Sequence, residues 1–252
     1  MHIQYFKEYS NYLDRDMEFK LFGHAGIPFI VFPCQNGKFF DFENEGMIET
    51  VKDKIESGQI QLFCVSTIDE ETWSANGDYH GRIMQHERYF SYLCDELLPR
   101  IYQIHNQLTN RNDMGKPILT GASMGGYHCV NFYLRRPDLF GGCLSLSGLF
   151  HASYFFPNYN DELIYFNSPT DFMPHLSEDH PLVKQYREGM IIICCGQGAW
   201  EDEAKADARE LQYQFNRLNV NAWVDLWGED VNHDWPWWRI QFPYFIDQIL
   251  GK

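Results

Sequence analysis

The chain has 252 residues, 44% of them hydrophobic, which is enough apolar content to bury the core of one α/β domain spanning 1–252. With 20 basic against 35 acidic residues the formal charge is −15, so polyphosphates and anionic lipid surfaces are repelled, and neither nucleic acid nor a membrane is an expected partner. There is no basic-then-apolar leader at the start and no run of eighteen apolar residues, and a cytoplasmic protein is expected.

In chain order, residues 17–22 and 27–32 read as strands joined by Gly23-His24-Ala25-Gly26, a turn of hairpin length, so an antiparallel N-terminal pair is expected. Residues 28–32 are continuously apolar, as in a strand covered on both faces, and empty into the polar turn Pro33-Cys34-Gln35-Asn36-Gly37. Residues 46–55 carry Met47, Val51 and Ile55 at helical spacing and stop at Gly58. A buried strand at 60–65 leads into an acidic loop that would wall a site. From 80 to 107, Tyr89, Leu93, Leu97 and Ile101 recur every four residues, with Pro99 marking a kink or break.

The apolar residues 118–121 then run into Gly121-Ala122-Ser123-Met124-Gly125, with a helix beginning at once. That pattern is a nucleophile elbow, in which a strand turns sharply into a helix and exposes a strained serine at the tip. A strand within 139–147 follows, and after it an aperiodic excursion over 149–188 that borders the site. Residues 190–195 form another buried strand, 204–218 a helix, 220–227 a strand and 237–250 a closing amphipathic helix. Buried strands alternating with helices predict a mostly parallel sheet covered on both faces.

The seven cysteines are odd in number and sit mainly in apolar runs, so they read as buried thiols. No Cys-x-x-Cys pair and no two-histidine helical spacing occur, and no metal is expected. A serine hydroxyl needs a histidine to take its proton and a carboxylate to orient that histidine. In α/β-hydrolases the chain order is serine, acid, histidine. Here His233 lies in a polar loop after the last strand, at the sheet edge where ligands bind. Glu201, Asp202 and Glu203 lie in the loop after the strand ending at Cys195. Asp202 is placed ahead of Glu201 as the acid, and the choice stays open. The oxyanion needs backbone donors: Met124 N–H is one, and Cys34 or Gln35 N–H the other, since Pro33 has none. His128 reads as a packed side chain, while His151, Phe150, Tyr154 and Trp73 are candidate pocket walls.

These residues together resemble the esterase branch of the α/β-hydrolase superfamily that includes esterase D and the mycolyltransferases. The resemblance rests on Gly121-Ala122-Ser123-Met124-Gly125-Gly126, Arg136-Pro137-Asp138-Leu139-Phe140 and His233-Asp234-Trp235-Pro236-Trp237-Trp238, with the segment from Phe32-Pro33-Cys34-Gln35-Asn36-Gly37 to Gly46-Met47 similar to a bacterial subgroup of that branch. It implies cofactor-free cleavage of small-molecule esters or thioesters. An acyltransferase with the same triad, or a non-catalytic relative that binds a ligand or partner, are the alternatives, and a homo-oligomer is left open.

Overall fold

Strands β1 (Ile3–Ser10), β2 (Arg15–Phe22), β3 (Ile27–Phe32), β4 (Ile60–Val65), β5 (Ile118–Ala122), β6 (Gly142–Leu146), β7 (Met190–Cys195) and β8 (Ala222–Leu226) form one sheet, ordered β1-β2-β4-β3-β5-β6-β7-β8. The computed structural model describes residues 1–112 and 114–251. The β1–β2 and β2–β4 pairs are antiparallel and every other pair is parallel.

Around the sheet lie α1 (Asp41–Asn44), α2 (Met47–Thr50), α3 (Lys52–Glu56), α4 (Tyr79–Ser91), α5 (Leu98–Thr109), α6 (Met124–Arg135), α7 (Glu162–Phe166), α8 (Pro169–Phe172), α9 (Pro181–Tyr186), α10 (Asp202–Arg217) and α11 (Trp235–Ile249). Successive strand residues point to opposite faces, and both faces are apolar here. Ile30, Phe63, Leu119 and Ile193 pack with Leu97, Ile101, Val130, Phe132 and Leu211 from α5, α6, α10 and the turn before α5. Val31, Cys64, Ala122 and Ile192 pack on the other side with Phe42, Met47, Trp238, Phe242 and Phe245 from α1, α2 and α11. This two-sided burial is why the central strands read as unbroken apolar runs.

Three local expectations are corrected. The turn at Gly23-His24-Ala25-Gly26 does not close a hairpin, because β4 lies between β2 and β3; the N-terminal hairpin is β1–β2, and β1 carried no buried-strand signature, being an edge strand with Ile3, Tyr5 and Tyr9 exposed. The helix expected over 46–55 is two short turns, α2 and α3, hinged at Val51, whose φ of −125° leaves the helical region. Pro99 does not break the helix, which runs on from α4 through a π-helical stretch, Tyr92–Leu97, into α5; the departure from α geometry lies in that stretch, ahead of the proline.

The excursion after β6 is tied to the helical layer by one polar network. The Arg135 guanidinium donates to both Glu87 oxygens at 2.9 and 2.7 Å, and Asn167 Nδ2 donates to Glu87 Oε1 at 2.7 Å. Asn131 Nδ2 donates to Asn167 Oδ1 at 2.8 Å, and Tyr127 OH to the Asn167 carbonyl at 2.7 Å. Glu87→Ala removes the carboxylate from this network, leaving the Arg135 guanidinium only Asn167 Oδ1 at 2.8 Å and Asn167 Nδ2 only Leu163 O at 2.9 Å, and is expected to cost about 1–3 kcal/mol. Urea denaturation measures the loss, and limited proteolysis should show cleavage concentrating within 155–180.

Candidate active site

The chain folds sharply at Ser123 because neighbouring backbones leave no room for side chains on either side of it. A Cβ on Gly121 would lie 2.6 Å from the Gly125 carbonyl carbon and 2.7 Å from Phe32 O. On Gly125 it would lie 2.4 Å from Phe32 O and 2.6 Å from Pro33 O. Ser123 itself adopts φ 56° and ψ −120°, a conformation that L-residues enter only when their surroundings impose it. Its N–H donates to Leu146 O at 2.9 Å and its carbonyl accepts from Tyr127 N–H at 3.1 Å, fixing the turn to β6 and α6.

His233 reaches the serine from the loop after β8. That loop is stitched to the loop after β7: His233 N–H donates to Ala199 O at 3.0 Å, Gly198 N–H to Val231 O at 2.9 Å, and Ala199 N–H to Asn232 Oδ1 at 2.8 Å. The imidazole stands edge-on to the Trp238 indole, with ring centres 5.1 Å apart. Its Nε2 lies 2.9 Å from Ser123 Oγ, and its Nδ1 lies 3.5 Å from Glu201 Oε2.

Glu201 is wholly buried, so its carboxylate needs donors to replace water. Oε1 accepts from Ser147 Oγ–H at 2.6 Å and from Gly196 N–H at 3.2 Å. Ser147 in turn accepts the Trp238 Nε1–H at 3.0 Å. Asp202, the acid favoured by sequence, is not brought to His233. It is the first residue of α10, its side chain is 85% exposed, and it accepts from Lys205 at 2.9 Å, a contact that lowers its pKa. Glu201 precedes the helix, outside its rotation, and turns inward instead.

The expected oxyanion donors lie at the start of α6 and in the turn after β3. Among the described residues, the backbone N–H groups of Met124, Cys34 and Gln35 have no protein acceptor. The turn that carries the last two closes with Gly37 N–H donating to Cys34 O at 2.9 Å, with Asn36 at φ 63°. Of the remaining candidates, Trp73 and Phe150 are fully packed, Tyr154 is 42% exposed, and His151 caps a short 3₁₀ turn and faces Asp171 at 3.3 Å. His128 is buried against Asp69. Sequence reasoning missed Ser147 and Asp69, which carry no periodic signal; Trp238 stood inside a motif it had singled out. Two cavities, of about 470 and 500 Å³, lie away from Ser123 and His233: one at the opposite end of β3, the other beside Leu134 at the far end of α6.

A family model described as "Putative esterase" matches residues 10–246. The chain belongs to that esterase family. Its fold is that of solved α/β-hydrolases. A ferulic acid esterase superposes with a TM-score of 0.72 at 14% identity, over 97% of this chain and 95% of its own. S-formylglutathione hydrolase (FrmB) from Staphylococcus aureus gives 0.67 at 16%, over 98% and 99%. Mycobacterium tuberculosis MPT51 (FbpC1) gives 0.72 at 15%, over 100% and 98%. A search of curated sequences returned no match. Membership of the esterase family makes the chain a hydrolase, and no helix among its described residues is long and apolar enough to cross a membrane.

Two outcomes follow from this packing. Gly125→Ala, which drives a methyl group into two backbone carbonyls, is expected to destabilise the fold by about 1–3 kcal/mol, read from the urea midpoint. The Cys34 thiol is pushed up to about 12, first by burial and then by Asp41, Glu45 and Asp69. Below that pH it stays protonated and unreactive. Iodoacetamide at pH 8 should therefore leave Cys34 unmodified in the folded protein and alkylate it after unfolding, as peptide mass analysis would record.

Proposed function

We propose that this esterase-family chain is a serine carboxylesterase acting on small or medium acyl esters, with Ser123 as nucleophile, His233 as general base and Glu201 as the carboxylate that orients it. The observation that carries the reading is the 2.9 Å approach of His233 Nε2 to Ser123 Oγ, with a buried carboxylate on the far side of the ring. As Ser123 Oγ attacks the ester carbonyl, its proton passes to His233 Nε2, and the N–H groups of Met124 and of Cys34 or Gln35 receive the oxyanion. The tetrahedral intermediate collapses, His233 returns the proton to the departing alcohol, and an acyl-serine remains. Water then attacks the acyl carbon, giving its proton to His233, and the carboxylic acid leaves as Ser123 is restored. No cofactor enters these steps.

Glu201 contributes by holding the Nδ1–H face of the ring, so that Nε2 carries the lone pair that takes the proton. Its own position depends on Ser147 and the Gly196 N–H, and through Ser147 on Trp238. Ser123, Ser147 and Gly196 directly follow the ends of β5, β6 and β7.

The test is turnover of p-nitrophenyl esters of graded acyl length, with feruloyl and S-formylglutathione substrates added because two structural neighbours are named for them. Ser123→Ala should lower kcat by at least about 10³-fold and abolish fluorophosphonate labelling. Glu201→Gln should lower kcat by about 10²- to 10⁴-fold, while Asp202→Asn, on an exposed side chain, should stay within about twofold. Undiminished turnover in Ser123→Ala sinks the reading, and equal losses in the two acid variants sink the choice of Glu201. Ester products formed with added alcohols, in place of free acid, would identify an acyltransferase.

A further inference from the structure

Behind the elbow lies a second carboxylate–imidazole pair that the proposed chemistry does not use. His128, five positions beyond Ser123 on α6, is fully buried, and its Nε2–H donates to Asp69 Oδ1 at 2.9 Å; Asp69 is 2% exposed. The other carboxylate oxygen accepts from Thr67 Oγ1–H at 2.9 Å. Among the described residues the second ring nitrogen of His128 has no partner, and the ring is stacked 5.6 Å from His86, which accepts the Trp73 indole N–H at 3.0 Å. Such a pair is expensive to bury, and apolar residues of the same volume would cost less. Its position supplies a reason for it.

Asp69 sits in the loop after β4, and that loop grips the Pro33–Gly37 turn. Asp69 O accepts from Ser74 N–H at 2.8 Å, and Ser74 Oγ accepts from Gln35 Nε2 at 2.7 Å. Thr67 Oγ1 lies 3.4 Å from Gly37 O, and Ser66 Oγ accepts from Phe39 N–H at 3.4 Å. At the other end of the turn, the ring of Phe32 packs 5.8 Å from the His128 ring. The pair therefore lies between α6, which carries Met124, and the turn that carries Cys34 and Gln35.

We propose that Asp69 and His128 are positioning residues that hold the Pro33–Gly37 turn in register with the elbow, so that its N–H meets the oxyanion together with that of Met124. This inference rests on the serine-esterase reading above. A donor displaced by about 1 Å forfeits much of its stabilisation of the transition state while leaving ground-state binding almost unchanged. The signature is accordingly a loss in kcat with KM preserved, and an equal loss of affinity for an aryl trifluoromethyl ketone, whose adduct with Ser123 puts an oxyanion at the same place.

The experiment compares wild type, His128→Phe, Asp69→Asn and Thr67→Val for kcat, KM, ketone affinity and melting temperature. His128→Phe, which keeps the stacking and loses the hydrogen bond, is expected to lower kcat and ketone affinity together by about 10- to 100-fold, with KM within about twofold. Asp69→Asn retains an acceptor for His128 and should recover most of that loss. Should His128→Phe fail to fold, Thr67→Val has the same shape and removes the second hydrogen bond on Asp69 together with the 3.4 Å contact to Gly37 O; it should show the same paired loss at about three- to tenfold. The proposal is overturned if the folded variants keep wild-type kcat and ketone affinity, or if KM rises as kcat falls with the ketone unaffected. Failure of the esterase reading is separately visible, as absent fluorophosphonate labelling of wild-type Ser123.

Discussion

The contact on which the site depends is backbone against backbone, where the first turn of α6 rests on the Phe32 and Pro33 carbonyls. Gly125 sits so close to these oxygens that no other residue fits, and Gly121 lies against the Phe32 carbonyl from the neighbouring strand. Register does the rest. Phe32 pairs with Gly121 across the parallel β3–β5 ladder, so both strands end at one level. Ser123 and the strand end that leads into the proposed second oxyanion donor thus emerge side by side, with main chains in van der Waals contact at Phe32 and Pro33.

The histidine and its carboxylate meet through a different kind of constraint. Neither belongs to a strand or helix; each stands in a loop after β7 or β8, and the two loops hydrogen-bond mainly to one another. A buried carboxylate demands compensation, and Glu201 receives it from donors that are themselves positioned: a backbone N–H at the end of β7 and the hydroxyl of Ser147. The Trp238 indole closes the set by donating to Ser147 while its ring flanks His233. One α11 side chain thereby steadies both the imidazole and the carboxylate's donor.

Much of this was legible in the residues, and the part that was not has a common cause. The apolar runs that became β3, β4, β5 and β7 are buried on both faces, and two-sided burial leaves a signal in composition. The elbow was legible because its glycines are sterically obligatory. β1 was missed because an edge strand with one wet face resembles loop, and its hairpin partner was misassigned because adjacency in sequence is only a tendency. The choice between Glu201 and Asp202 turned on where α10 begins, to within one residue. Composition cannot resolve such a boundary, yet one step of chain separates a buried carboxylate facing His233 from an exposed one facing Lys205.

The same edge of the sheet also concentrates conformational strain in an ordered way. Ser123 after β5, Ser147 after β6 and Trp200 in the loop after β7 have φ of 56°, 52° and 65°, although none is glycine. Each such residue costs on the order of 1 kcal/mol or more. The strand ends hold the first two in place: Ser123 N–H donates to Leu146 O at 2.9 Å, and Ser147 N–H to Cys194 O at 2.7 Å, each turn being fastened to the next strand over. Trp200 is held instead by a tight turn, with Glu201 N–H donating to Gly198 O at 3.4 Å, and its side chain is 85% exposed. Three consecutive strand-to-loop exits thus carry strained backbone, and at each it lies at or beside a group that the proposed reaction needs: the nucleophile, the hydroxyl on the acid, and the acid itself. The sheet can absorb that cost because two of the three strained residues are bonded by their own N–H groups to the end of the neighbouring strand.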